Sequence, residues 1–507
     1  MSAPHKSVPT PTWDDSQSRP WPALWALVVG FFMILVDTTI VSVATPTIIA
    51  ELNAGVSEAI WVSSAYLLAY AVPLLITGRL GDRFGPKKIY LIGLVVFTLS
   101  SLACGLVGSV TPLIIARVVQ GLGASLMTPQ TMATITRLFP ANERGKAMSI
   151  WGAVAGIATL VGPVLGGLLL DSLGWEWIFF INVPVGVFGY LLVVKFVPRM
   201  DVNKHRFDWL GVILSAVGLF CIVFGLQEAD TFSWGTIWGP ISVISLIIFG
   251  IVVLVGFVLW QKFNLGEPLL PLSLFEDRNF TVSNIAIVLV GFSVTAMPFA
   301  LMIWAQAARG FSPTQAALLS APTAVMSLVL ARPVGNLVDR VHPRILATFG
   351  CALWSASLFG LVAVMNTTSP VWLILVPMTT LGISSSFVWG PLSTAATGNL
   401  PPLRAGAGSG VYNIARQVGA VMGSAVIATL IGSRIAANLG SGGDEFSPAT
   451  MGGDIPAAAR EGLATAMSQA VLAPAIVIGI AVIVVQFYTQ PSYQAQLRSN
   501  SAPADQG

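Results

Sequence analysis

Blocks of about 20 consecutive apolar residues recur along this chain, separated by short polar punctuation, and each is long enough to cross the roughly 30 Å hydrocarbon core of a bilayer as a helix. Lipid offers backbone N–H and C=O groups no partners, so such a chain is confined to helices or to a closed barrel. The blocks lack the alternation of barrel strands, which leaves helices. Fourteen spans are expected, at 22–46, 58–77, 88–107, 110–132, 147–170, 177–196, 208–227, 238–261, 281–305, 315–334, 345–365, 370–393, 407–431 and 467–488. The fold class is therefore an all-α membrane protein. Composition agrees: at 55% hydrophobic and 9% charged residues, there is too little charge for a soluble fold of this length. The first block follows a polar head, Met1 to Pro20, and exceeds the apolar region of a signal peptide, so it reads as an uncleaved first span.

Cys104, Cys221 and Cys351 all lie inside apolar blocks far apart in sequence, which suggests neither a disulfide framework nor a metal site. The net charge of +3 is spread over alternate loops and gathers on no single face, so nucleic acid is not an expected partner. With the N-terminus in the cytoplasm, Arg309, Arg434 and Arg460 fall outside and Arg117 and Arg416 within spans. All the other lysines and arginines, out of 25, fall inside. By the positive-inside bias, both termini are expected to be cytoplasmic and the chain to sit in the inner (plasma) membrane.

A ten-residue stretch occurs twice. Gly78-Arg79-Leu80-Gly81-Asp82-Arg83-Phe84-Gly85-Pro86-Lys87 recurs as Gly335-Asn336-Leu337-Val338-Asp339-Arg340-Val341-His342-Pro343-Arg344, keeping Gly, Leu, Asp-Arg, Pro and a final basic residue. Both copies join consecutive spans on the same side, spans 2 and 3 and spans 10 and 11. The chain thus reads as two parallel six-helix halves with spans 7 and 8 inserted. The expected domains are a tail at 1–21, an N-terminal bundle at 22–200, the inserted pair at 201–265, a C-terminal bundle at 266–490 with an external loop near 432–466, and a tail at 491–507. Halves repeated in this way are a transporter architecture, because a site between them opens to either side when one half rocks against the other.

Gly78 to Lys88 resembles the signature loop of the major facilitator superfamily. Other stretches are similar to the 14-helix branch of its drug:proton antiporters. They are Leu35-Val36-Asp37-Thr38-Thr39-Ile40-Val41-Ser42-Val43-Ala44-Thr45-Pro46, Trp61-Val62-Ser63-Ser64-Ala65-Tyr66-Leu67-Leu68-Ala69, Arg117-Val118-Val119-Gln120-Gly121-Leu122-Gly123, Gly162-Pro163-Val164-Leu165-Gly166-Gly167, Phe179-Phe180-Ile181-Asn182-Val183-Pro184-Val185-Gly186 and Leu274-Phe275-Glu276-Asp277-Arg278-Asn279-Phe280. The resemblance, from about Trp25 to Tyr488, implies the major facilitator fold and alternating access.

Asp37 is the acid placed deepest in a span, and an ionisable group there costs several kcal/mol, which marks a functional site by default. Desolvation raises a carboxyl pKa and a nearby cation lowers it, so an Asp whose surroundings alternate can load and release a proton. Arg117 lies at nearly the same depth in span 4. The resemblance implies that spans 1 and 4 face a central cavity and that this arginine takes part in proton exchange; a static pair that only fixes helix packing is the alternative. Around the repeated loop, Gly78, Gly81 and Gly85 permit close backbone approach and Asp82 can cap a neighbouring helix, with Arg83, Lys87 and Lys88 in the headgroup zone. With Asp339 and Arg340 of the second copy, these residues are expected to gate the cytoplasmic face.

Gly162-Pro163 and Gly166-Gly167 give span 5 a kink and a bare face for a neighbouring helix, and in the resemblance they mark antiporters. Asn413, Arg416 and Gln417 form a deep polar cluster in span 13, suited equally to cavity lining and to inter-helix hydrogen bonding. Trp61, Tyr66, Met127, Gln130, Trp304, Gln306, Phe387 and Trp389 are cavity candidates, since varied amphiphiles need aromatic faces, an adaptable Met and a few amides. No nucleotide-binding loop is present, and His5, His205 and His342 lie in the polar head or cytoplasmic loops. The reading is thus a secondary transporter and not an enzyme, with no cofactor and no metal. Its expected partners are a small-molecule substrate, protons and the bilayer, and it is expected to work as a monomer exporting amphipathic or hydrophobic compounds against proton entry. A same-fold exporter of an endogenous lipid or natural product is the alternative.

Overall fold

The computed structural model describes residues 20–52, 56–140, 143–200, 208–229, 232–264, 268–311, 313–338, 340–400, 405–439 and 457–490. The first half holds α1 (Pro20–Glu51), α2 (Val56–Ala71), α3 (Leu74–Phe84), α4 (Pro86–Leu106), α5 (Val110–Leu138), α6 (Arg144–Leu173), α7 (Trp177–Phe180) and α8 (Asn182–Phe196). The inserted pair is α9 (Trp209–Gln227) and α10 (Val243–Phe263). The second half holds α11 (Arg278–Ile303), α12 (Pro313–Leu318), α13 (Ala321–Val338), α14 (Pro343–Val364), α15 (Val371–Thr397), α16 (Ala405–Leu439) and α17 (Ala457–Val484). Among the described residues, 11 helical spans are long and apolar enough to cross a membrane, and one bent pair makes 12. Helices α6 and α16, of 30 and 35 residues, stand where the fifth and thirteenth spans are expected, so the architecture is consistent with fourteen crossings.

Several boundaries differ from the expectation for local reasons. The second span is broken: the bent pair meets at 46° across Val72-Pro73, because Pro73 supplies no N–H for the helical ladder. Its continuation, α3, swallows most of the first repeated stretch, so Gly78 to Phe84 is helix and the turn itself is Gly85, at φ 93°. The sixth span is broken at Ile181, where Pro184 leaves the Phe180 carbonyl without its helical donor. The eighth begins at Val243, since Thr236–Trp238 and Ile241–Ser242 form a small antiparallel hairpin. Helices α16 and α17 extend into the expected external loop, whose centre at 440–456 lies outside the described residues, as does Asp339.

In the first half α5 packs against α2 and α4, and α1 against α6 and α8; in the second, α11 meets α16 and α17, and α14 meets α15 and α17. The halves join where α6 lies on α13 and α15, and where α16 lies on α3 and α5. The inserted helices pair with each other, and α9 also touches α2 and α16. Asp208 fastens them: its carboxylate caps α9 through Gly211 N (2.9 Å) and accepts from Trp260 Nε1 (2.9 Å), Gln261 Nε2 (2.6 Å) and Leu269 N (3.4 Å). Arg79 of α3 donates to the carbonyls of Leu269 and Pro268, tying the same connection to the first half.

Candidate functional site

Asp37 lies along α1 with no exposed surface, and both its carboxylate oxygens are engaged. Oδ2 accepts from Arg117 Nη1 at 2.5 Å, while Oδ1 accepts from Gln120 Nε2 and Asn182 Nδ2, each at 2.9 Å. Arg117 and Gln120 are three residues apart on α5 and so share a face. Asn182 is the first residue of α8, delivered by the break that Pro184 causes. Behind them, Ser101 Oγ of α4 accepts from Gln120 Nε2 (3.1 Å) and Asn182 Nδ2 (2.9 Å) and donates to the Phe179 carbonyl (3.0 Å).

The guanidinium of Arg117 is held on every side. Nε donates to Val62 O at 3.1 Å, Nη1 also reaches Gln120 Oε1 at 2.7 Å, and Cζ stands 4.1 Å from the centre of the Tyr66 ring and 5.7 Å from that of Phe179. Every group facing the carboxylate is an N–H donor, which suits the ionised form, an acceptor only. Removing either partner of so dry a pair leaves a bare charge, at a cost on the order of 3–5 kcal/mol.

Helix α6 closes over this turn of α1. A Cβ on Gly162 would sit 1.9 Å from Thr39 Oγ1 and 3.2 Å from Val36 O, so only glycine lets α6 approach here. Pro163 follows inside the helix, Gly166 is buried, and Gly167 faces Thr314 of α12.

At the end of the bundle that carries the repeated stretches, Asp82 pairs with Arg137 of α5 at 2.6 Å, and its other oxygen accepts the Ala407 N–H at 3.1 Å. Ala407 is in the first turn of α16, so Asp82 caps a helix of the opposite half. Nearby, Arg144 reaches Gly398 O at 3.4 Å, and a Cβ on Gly335 would lie 2.5 Å from the Lys146 backbone. Gly78 is buried, Gly81 faces Gln130, Lys87 donates to Val194 O, Arg83 leans on the Phe84 ring, and Arg340 is exposed.

The structure does not gather the eight aromatic, amide and methionine candidates into one lining. Tyr66 belongs to the Arg117 site. Met127 fills the core between α1 and α4, and Gln130 donates to Thr77 O at 2.6 Å behind Gly81. Trp61 lies 5.5 Å from Phe224 of the inserted α9, Phe387 packs edge-on against Phe349, and Trp389 rests on Gly152 of α6. Trp304 is fully buried beneath the Arg309 guanidinium, and Gln306 is exposed. Residue type alone does not say which face of a helix a side chain occupies, and these side chains point to different neighbours. Arg416 and Asn413 instead cross between the halves, Arg416 Nη2 to Tyr70 OH at 3.3 Å and Asn413 Nδ2 to Met132 Sδ at 3.9 Å.

Sequence reasoning missed Gln120, Asn182 and Ser101 as members of the Asp37 site. The signal existed: each is a polar residue inside an apolar span, and Gln120 follows Arg117 by one helical turn.

Residues 27–424 match the sequence profile of the Major Facilitator Superfamily. An uncharacterised transporter of that type from Mycobacterium tuberculosis is 51% identical over 90% of this chain and 79% of its own. The tetracenomycin C resistance and export protein of Streptomyces glaucescens is 34% identical over 83% of this chain and 77% of its own. Among solved structures, the proton:xylose symporter XylE aligns with a TM-score of 0.65 at 14% identity, over 96% of this chain and all of that one, a likeness of fold.

Proposed function

We propose that this chain, which belongs to the major facilitator superfamily, exports small amphipathic molecules in exchange for protons by alternating access. It is a multi-pass membrane transporter and not an enzyme. Export is supported by the named activity of the tetracenomycin relative, and proton coupling by the site on α1. The observation that carries the reading is the desolvated Asp37 carboxylate, held by Arg117, Gln120 and Asn182 within the first half. Protonating Asp37 cancels its attraction for Arg117, so proton uptake and a rearrangement of α1 against α5 become one event. Asp82 and Arg144 keep the signature-loop end shut in this conformation, and the excess of basic residues there supports a cytoplasmic assignment for that end and for both termini.

The test is dye efflux in inverted membrane vesicles with an imposed pH gradient, comparing the parent with Asp37→Asn. Loss of gradient-driven transport in the variant, with the protein still inserted, is expected. Efflux by the variant that still follows the gradient would remove Asp37 from the mechanism, and gradient-independent efflux by the parent would dispose of antiport.

A further inference from the structure

One face of α16 carries Ser409, Tyr412, Asn413 and Arg416 at the i, i+3, i+4, i+7 spacing of a helical stripe. Each has a buried atom with no hydrogen-bond partner: Ser409 Oγ, Tyr412 OH, Asn413 Oδ1 and Arg416 Nε. Ser409, Tyr412 and Asn413 have no exposed surface at all. Four unsatisfied polar atoms on one stripe of a membrane helix are costly unless something else satisfies them.

The charge on this stripe is positive and uncompensated. Among the described residues no carboxylate lies within ion-pair distance of Arg416. Its hydrogen-bond partner is the Tyr70 hydroxyl, which in accepting that bond is left to donate to Thr128 Oγ1 at 3.1 Å, and Thr128 donates onward to Ala124 O at 3.1 Å. The chain of bonds runs away from the guanidinium and brings no anion to it. Asp37 is already paired with Arg117 and bonded by Gln120 and Asn182, so it supplies none either.

Resting on the transport reading above, we propose that this stripe, with Tyr70 across the inter-half seam, is a substrate-binding site for amphipathic molecules bearing a carboxylate or similar oxyanion. Arg416 is the counter-charge. The hydroxyls of Ser409 and Tyr412 are free to donate to ligand oxygens, and Asn413 Oδ1 accepts from a ligand hydroxyl. Arg416 comes from the second half and Tyr70 from the first, so a ligand bound here is contacted by both bodies that move.

The test is equilibrium binding to the purified full chain in zwitterionic-lipid nanodiscs, read by tryptophan-to-pyrene energy transfer with empty discs as background. The probes are pyrenebutyrate, pyrenebutanol and pyrenebutyltrimethylammonium, which share a ring and a chain and differ in charge. The parent is expected to bind the carboxylate about tenfold tighter than the alcohol, the scale of one charge-assisted hydrogen bond. Arg416→Gln should erase that preference by weakening pyrenebutyrate far more than pyrenebutanol, and Arg416→Lys, which keeps the charge but loses the planar fork, should lower it about threefold. An acid-to-alcohol ratio unchanged in whichever of these variants folds, equal weakening of both probes, tighter binding of the ammonium probe by the parent, or no pyrenebutyrate binding each overturns the proposal. No gradient is applied, so the result is independent of whether Asp37 couples protons; absence of any dye efflux in the vesicle assay would instead count against the transport reading.

Discussion

Tyr66 and Tyr70 stand one turn apart on α2 with ring centroids separated by 6.1 Å, and each meets an arginine from a different helix. Arg117 lies over the Tyr66 ring inside the first half, and Arg416 reaches the Tyr70 hydroxyl from the second. One short stretch of α2 therefore touches both the proposed proton site and the proposed ligand site, and a shift of α2 is felt at both.

Tyr66→Leu removes the aromatic face under Arg117, whereas Tyr66→Phe keeps it and loses the hydroxyl's contacts with Ile34 O, at 3.4 Å, and with Thr38. A desolvated cation–π contact is worth about 2 kcal/mol, so the leucine variant should lose ten- to thirtyfold in gradient-driven efflux rate and the phenylalanine variant should stay within about threefold of the parent. Initial rates of dye efflux in inverted vesicles measure both, and equal losses would remove the ring from the site.

Gly162→Ala places a methyl group against Thr39 Oγ1, a stiff β-branched side chain. Overpacking of this kind costs about 1–3 kcal/mol. A lower midpoint of thermal unfolding in detergent is expected, recovered in part by adding Thr39→Ala. An unaltered midpoint in the single variant would show that α1 and α6 have slack at this contact.

Asp82→Ala removes both the Arg137 pair and the cap on α16, whereas Asp82→Asn keeps an acceptor for Ala407 N. Losing the cap is worth about 1 kcal/mol, or roughly fivefold in the population closed at the signature-loop end. Spin-label distances across that end should broaden toward longer values in the alanine variant and less so in the asparagine variant.

Burial alone would raise the Asp208 carboxyl, but donation from Trp260, Gln261, Gly211 and Leu269 outweighs it and holds the group below its usual value. A carboxyl lower in the folded than in the unfolded state adds stability that is complete above about pH 4 and vanishes as pH falls through the depressed value. Thermal unfolding followed from neutral into acid should therefore show a decline that is shallower in Asp208→Asn, which starts from lower stability at neutral pH. Parallel pH curves for the two proteins would detach Asp208 from acid sensitivity.

The spans and the Asp37–Arg117 pairing were legible in the sequence because both follow from depth: an apolar run sets where a helix crosses, and residue counting sets how far in a charge sits. The partners Gln120, Asn182 and Ser101 depend on how helices rotate about their axes, and spacing within one helix says nothing of its rotation relative to another. The same limit scattered Met127, Gln130, Trp389 and Phe387 over separate contacts. Pro73 and Pro184 stood in plain view as helix breakers, yet their effect emerged only with the course of the chain on either side. The capping role of Asp82 was visible as a chemical aptitude; that it would reach Ala407 on the far half required the packed bundle.

Asp82 serves an arginine of its own half and an amide of the other at the same time. In the proposed alternating-access cycle, departure of α16 would take a neutral donor from the carboxylate and leave its counter-ion in place, so the widening mouth would hold no naked charge to hydrate. In that cycle unfastening would be nearly as easy as refastening, the property wanted of a clasp worked on every turnover.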